Sequence, residues 1–148
     1  MGRYPDDIYV NAMRIVKQAY KITRNWQGDP CMPRSFSWDR LNCSYFDNIP
    51  RITSLNLSSS KLTGQINTSF SDLISLESLD LSNNQLTGEI PEVLGKLPNL
   101  KLLNLSGNNL SGPIPKALTE KNGNPLILRF DLLIATHLIH SSAVALSA

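Results

Sequence analysis

One template, Leu55-Asn-Leu57-Ser-Ser-Ser60-Lys-Leu62-Thr-Gly64-Gln-Ile66, recurs at a constant offset of 24 residues. It returns as Leu79-Asp-Leu81-Ser-Asn-Asn84-Gln-Leu86-Thr-Gly88-Glu-Ile90 and as Leu103-Asn-Leu105-Ser-Gly-Asn108-Asn-Leu110-Ser-Gly112-Pro-Ile114. A unit this short cannot bury its apolar side alone. Consecutive units must stack so that their leucines share one core, which makes the centre of the chain a solenoid.

The details of the template assign its parts. Paired leucines alternating with polar residues describe a strand buried on one side. Asn84 and Asn108 come where the chain leaves that strand, and an amide there can bond backbone groups that the bend leaves unpaired. Ser60 fills the place in the first coil; its shorter side chain predicts the loosest of the three turns. Gly64, Gly88 and Gly112 suit a tight or left-handed turn. The period lies within the ~20–29 residues of leucine-rich repeats. The expected fold class is therefore an α/β leucine-rich-repeat solenoid, right-handed, with short parallel strands on its concave face and irregular or 3-10 turns on its convex side.

Residues 1–23 read as an amphipathic helix leading into a cap. Asp6 and Asp7 can begin the helix over residues 6–20, Ile8, Ala12, Ile15 and Ala19 share one face, and Arg14, Lys17 and Lys21 follow in the order the helix dipole favours. Packing over the open end of the solenoid is its expected role. Residues 24–48 form the N-terminal cap, with Trp26, Phe36 and Trp38 available to cover the first coil's leucines, and an aromatic ligand site as the alternative. Cys31 and Cys43 are the only cysteines. A bridge between them closes a short loop, worth about 3 kcal/mol in the chain-entropy model, and suits an oxidising compartment; two free buried thiols are the alternative. Residues 49–120 hold the three coils. Residues 121–148 are a divergent tail in which Leu126, Leu128 and Phe130 can form a last strand, and whose final, largely apolar stretch is shorter than the ~20 residues of a spanning helix.

Composition narrows the function. The 148 residues carry 14 basic and 12 acidic side chains, a net charge of +2 without long runs. That balance gives no phosphate-binding footprint, and nucleic acid is not an expected partner. His137 and His140 have ligand-like spacing but neither cysteine nor acid beside them, so no metal is expected. Gly95-Lys96 lacks the remainder of a phosphate loop, no kinase catalytic motif occurs, and no serine has an assignable histidine and acid. The chain is expected to be neither an enzyme nor dependent on a cofactor.

Outward positions of stacked strands form columns: Thr53, Glu77, Lys101; Asn56, Asp80, Asn104; Ser58, Ser82, Ser106; and Ser59, Asn83, Gly107. These are the candidate binding face. Glu77 beside Lys101 also reads as an ordinary cross-strand pair. Sequons start at Asn42, Asn56, Asn67, Asn104 and Asn109. The repeat template generates several of them, and a glycan on Asn56 or Asn104 would obstruct the face, which leaves Asn67 as the expected site of modification.

The strings Asn25-Trp-Gln-Gly-Asp-Pro-Cys31 and Trp38-Asp-Arg-Leu-Asn-Cys43, followed by the repeats, resemble plant leucine-rich-repeat receptor-like serine/threonine kinases, in particular those with a malectin-like domain ahead of a short repeat segment. The resemblance covers residues 6–131. It implies an ectodomain fragment on the extracellular side of the plasma membrane, binding a peptide ligand, a protein or a co-receptor, with the kinase elsewhere in full-length relatives. Met1 is followed by Gly-Arg-Tyr-Pro-Asp-Asp, which has no apolar signal region, so a fragment or an incomplete gene model is expected. A soluble secreted inhibitor or decoy, or a truncated product without independent function, are the alternatives.

Overall fold

The computed structural model describes residues 7–121, 125–131 and 144–147. Alternation of leucine and polar residues produces a strand in every coil: β2 (Arg51–Asn56), β4 (Ser78–Asp80) and β6 (Leu102–Asn104). They lie parallel and in register, Leu55 opposite Leu79 and Leu79 opposite Leu103. A preceding strand, β1 (Leu41–Ser44), pairs antiparallel with β2 and occupies the leading edge of the sheet. β8 (Leu126–Arg129) continues the sheet beyond β6, and β9 (Val144–Ser147) follows β8 in parallel. Leu126 and Leu128 lie on β8 and Phe130 just past it, all three buried, but against the expectation this strand is not the last, because β9 pairs beyond it.

The core is two columns of leucine. Leu55, Leu79, Leu103 and Leu128 form one, Leu57, Leu81 and Leu105 the other, and every one of these is 0% exposed. Each such burial contributes roughly 1.5–3 kcal/mol. On the opposite side, β3 (Thr63–Gly64), β5 (Gln85–Gly88) and β7 (Asn109–Leu110) form a narrow second sheet. The glycine that recurs in the template has φ of +82°, +81° and +81° at positions 64, 88 and 112, the left-handed turn expected of it.

The convex side is built of 3-10 turns at Thr68–Asp72 and Glu92–Lys96 and of the short helix α2 (Lys116–Thr119), next to the second turn. A methyl group at Gly95 would stand 2.3 Å from the Ala117 Cβ, so these layers meet at their backbones. The N-terminal helix α1 (Asp7–Ala19) packs against the first turn and covers that end of the core. Its buried face is not the expected one. Tyr9, Ala12, Met13 and Val16 are inside, whereas Ile8 is 52% and Ile15 37% exposed and Ala19 faces solvent. Two apolar stripes overlap at Ala12, and the one with larger side chains fills the space above Phe70. Tyr20, just past the helix, stacks on Phe70 and donates its hydroxyl to the Gln65 carbonyl.

The cap forms as a disulfide-linked unit, Cys31 bonded to Cys43. Trp26 and Trp38 stack with centroids 4.9 Å apart. Both indole N–H groups have acceptors, the Asp39 carboxylate for Trp26 and the Gln27 carbonyl for Trp38. Phe36 departs from the expectation: it lies on an exposed 3-10 turn, Arg34–Phe36, and is 77% exposed.

Candidate recognition face

The open face of the main sheet is positioned by the turns that end its strands. Asn84 is almost wholly buried and makes five backbone bonds. Its amide donates to the carbonyls of Leu57, Leu81 and Ser82 at 2.9, 2.9 and 3.1 Å, and its oxygen accepts from Ser60 and Leu62 at 2.9 and 3.1 Å. Asn108 repeats the arrangement one coil later, donating to Leu81, Leu105 and Ser106 and accepting from Leu86. Each asparagine thus ties its own turn to the preceding coil. The strand residues on either side inherit a fixed register.

This ladder has a direction, because its turn N–H groups point to the next coil and its carbonyls to the previous one. At the leading end the orphan groups are carbonyls, and Arg40 supplies donors: Nε to Asn56 O at 2.9 Å and Nη2 to Ser58 O, with Ser60 Oγ also in reach. At the trailing end the orphans are N–H groups, and the Asp131 carboxylate accepts from Gly107 and Asn108 at 3.0 and 3.3 Å. A cation meets the carbonyls and an anion meets the amides. The first turn, expected to be loose for want of an asparagine, is tied by Arg40 and by Asn84 from the next coil.

The four predicted columns exist, but they are not equivalent. Asn56, Asp80 and Asn104 stand in register across β2, β4 and β6, and each spends one side-chain oxygen on the amide of Ser58, Ser82 or Ser106 at 3.0, 2.9 and 3.2 Å. Ser82 is 5% exposed, so it presents almost nothing to a partner. In the fourth column Ser59, Asn83 and Gly107 all have positive φ, and Asn83 is exposed. Thr53, Glu77 and Lys101 are linked through their backbones, Glu77 N–H to Thr53 O and Lys101 N–H to Glu77 O. Lys101 Nζ lies 3.3 Å from Glu77 Oε1 with both side chains well exposed, a geometry typically worth only ~0–1 kcal/mol.

A fifth column escaped the sequence reading. Ser54, Ser78, Leu102 and Ile127 occupy paired positions on β2, β4, β6 and β8, and they turn from polar to aliphatic along the sheet. Ile127 is 45% exposed and Leu102 half-buried. Arg129, opposite Asn104, extends the asparagine column with an exposed cation. The register of the template contained the signal. A search for outward polar residues passes over leucine and isoleucine at outward positions.

Of the sequon asparagines, Asn42, Asn56 and Asn109 are exposed. Asn67 is half-buried at the start of the Thr68–Asp72 turn, where its oxygen caps the Ser69 amide at 2.8 Å and its own N–H donates to the Tyr20 hydroxyl. Burial pushes the Tyr20 phenol above its ordinary pKa, while the Asn67 N–H acts the other way. His137 and His140 lie outside the described residues. Among the described residues no group of acids, histidines and cysteines has metal-binding geometry, and no helix is long and apolar enough to cross a membrane.

Known proteins share both the repeats and the stacking. Residues 43–110 match the family model described as leucine rich repeat. A probable LRR receptor-like serine/threonine-protein kinase of Arabidopsis thaliana is 57% identical over 65 residues, which is 43% of this chain and 8% of the relative. The matched stretch is thus a small part of that kinase. Among solved structures, the BIR3–SERK2 complex from Arabidopsis thaliana contains a chain superposing with a TM-score of 0.64 at 29% identity, covering 95% of this chain and 84% of that one. The Arabidopsis receptor kinase HAESA, solved with the peptide hormone IDA and the co-receptor SERK1, superposes with a TM-score of 0.51 at 28% identity, covering 85% of this chain and 25% of that one.

Proposed function

We propose that this chain, a leucine-rich-repeat solenoid similar in its repeats to plant receptor-like kinases, is a non-catalytic recognition module of an ectodomain, facing the extracellular side of the plasma membrane. Its partner is an extracellular peptide, a protein ligand or a co-receptor kinase. The observation that carries this reading is the open sheet face, on which the side chains of Glu77, Asn83 and Lys101 take no part in holding the turns, while the Thr53 hydroxyl donates to the Asn42 carbonyl of β1. Asn56, Ser58, Asp80, Asn104 and Ser106 border that surface while serving the turns. The disulfide agrees with an oxidising compartment.

A stable interface uses about 20–30 residues a side, more than this sheet offers, so the face acts as part of a larger receptor surface. Asn67 carries the glycan, because the atom that caps the turn is its oxygen and the amide nitrogen remains for the sugar. The test is photocrosslinking at plant cell surfaces with the secreted chain. Crosslinkers at Thr53, Glu77 and Lys101 are expected to yield adducts that excess unlabelled chain abolishes, and crosslinkers at Glu92 and Lys96 on the convex side to yield none. Adducts from the convex positions alone contradict the reading. The same secreted material is expected to show a glycosidase-sensitive mobility shift that Asn67→Gln removes; a shift that survives this substitution moves the glycan elsewhere.

A further inference from the structure

The sheet face changes character along its length. Over the first two coils its outward residues are Thr53, Ser54, Asn56, Glu77, Ser78 and Asp80. Serine and threonine offer little apolar surface to bury, and the second coil is acidic. On β6 and β8 Leu102 and Ile127 stand side by side, with Lys101 just before one strand and Arg129 at the end of the other. Among the described residues no side chain pairs with Arg129, and Lys101 has only the exposed, 3.3 Å contact with Glu77.

The geometry points to an anchor site on β6 and β8 for an extended, acidic peptide segment in which an aliphatic side chain and a carboxylate stand two residues apart. The aliphatic group covers Leu102 and Ile127, and the carboxylate meets the Arg129 guanidinium, whose planar fork donates to two carboxylate oxygens. Ile127 and Arg129 are two residues apart on β8, and side chains two residues apart in an extended chain share one face at ~7 Å, so residues i and i+2 of the segment can meet both. Charge also orients the occupant. Glu77 and Asp80 repel its acidic end from the second coil, which places that end over β8 and a neutral or basic end over β4.

This site rests on the recognition reading above and refines it to one end of the face. The experiment pans a displayed library of random ten-residue peptides against the purified chain. Enrichment of an aliphatic residue two positions from Asp or Glu is expected, with binding of the selected peptides lowered at least tenfold by Ile127→Ser and by Arg129→Gln. Ser54→Lys, at the other end of the same face, is expected to leave it unchanged. Each variant's unfolding transition is compared with that of the parent, and Arg129→Lys, which keeps the charge and loses the fork, separates geometry from charge. Selected peptides that depend on Ser54 or Glu77 but not on Ile127 or Arg129 overturn the anchor site and leave the recognition face standing. Peptides that no strand-face substitution affects overturn both.

Discussion

Replacing Asn84 with alanine lowers the stability of the chain by roughly 2.5–7.5 kcal/mol, taking each of the five lost intramolecular bonds at about 0.5–1.5 kcal/mol net. The side chain makes five bonds to backbone groups of two coils, and it is 8% exposed, so water cannot replace them without opening the turn. For domains whose total stability is typically about 5–15 kcal/mol, this is a large fraction. Asn84→Asp keeps the shape and the acceptor for Ser60 and Leu62 but turns a donor into an oxygen facing three carbonyls. It is expected to cost at least as much. Asn108→Ala is expected to cost less, because Asn108 makes four such bonds and is only half-buried. Urea unfolding monitored by circular dichroism measures all three; equal and small losses would remove the asparagines from the account.

The second large effect lies in the cap. Trp26 is 1% exposed, stacked on Trp38, and bonded through its indole to Asp39. Trp26→Ala is expected to cost about 3–5 kcal/mol, from the cavity it leaves and the partners it abandons. Phe36→Ala, 77% exposed, is expected to stay within about 0.5 kcal/mol of the parent, as surface substitutions usually do. A matching pair of thermal transitions for the two variants would show that the tryptophans do not seal the first coil.

What the sequence disclosed, and what it withheld, follows from how strictly each feature is periodic. The leucine columns, the strand register and the turn asparagines obey one repeated template, and the structure places them accordingly. The cap and the ends of the solenoid occur once, so no repetition reinforces them. In α1 two apolar stripes, Ile8, Ala12, Ile15 and Ala19 against Tyr9, Ala12, Met13 and Val16, each fit one helical face, and only contact with Phe70 and its surroundings decides which is buried. Arg40 and Asp131 are likewise invisible to a repeat search. Their roles exist because the ladder stops, leaving carbonyls at one end and amides at the other.

The candidate site was legible in position more than in use. Its columns could be written down from the 24-residue offset, but a side chain that faces outward can still be spent on its own turn, as Asn56, Asp80 and Asn104 are. The Leu102–Ile127 pair shows the converse. Hydrophobic residues are assigned inward by default, and nothing short of the β6–β8 register places these two on the open side.

Native-state hydrogen exchange on the intact chain tests the central claim, that buried side-chain amides lock successive coils and so hold the open face rigid. The amides of Ser60 and Leu62 lie outside the strands and that of Leu86 in the short β5, and each is bonded to an asparagine oxygen. They are predicted to exchange as slowly as the strand-end amides of Leu57 and Leu81, through global unfolding. Exchange of those three at the rate of free loops, while Leu57 and Leu81 remain protected, would contradict it.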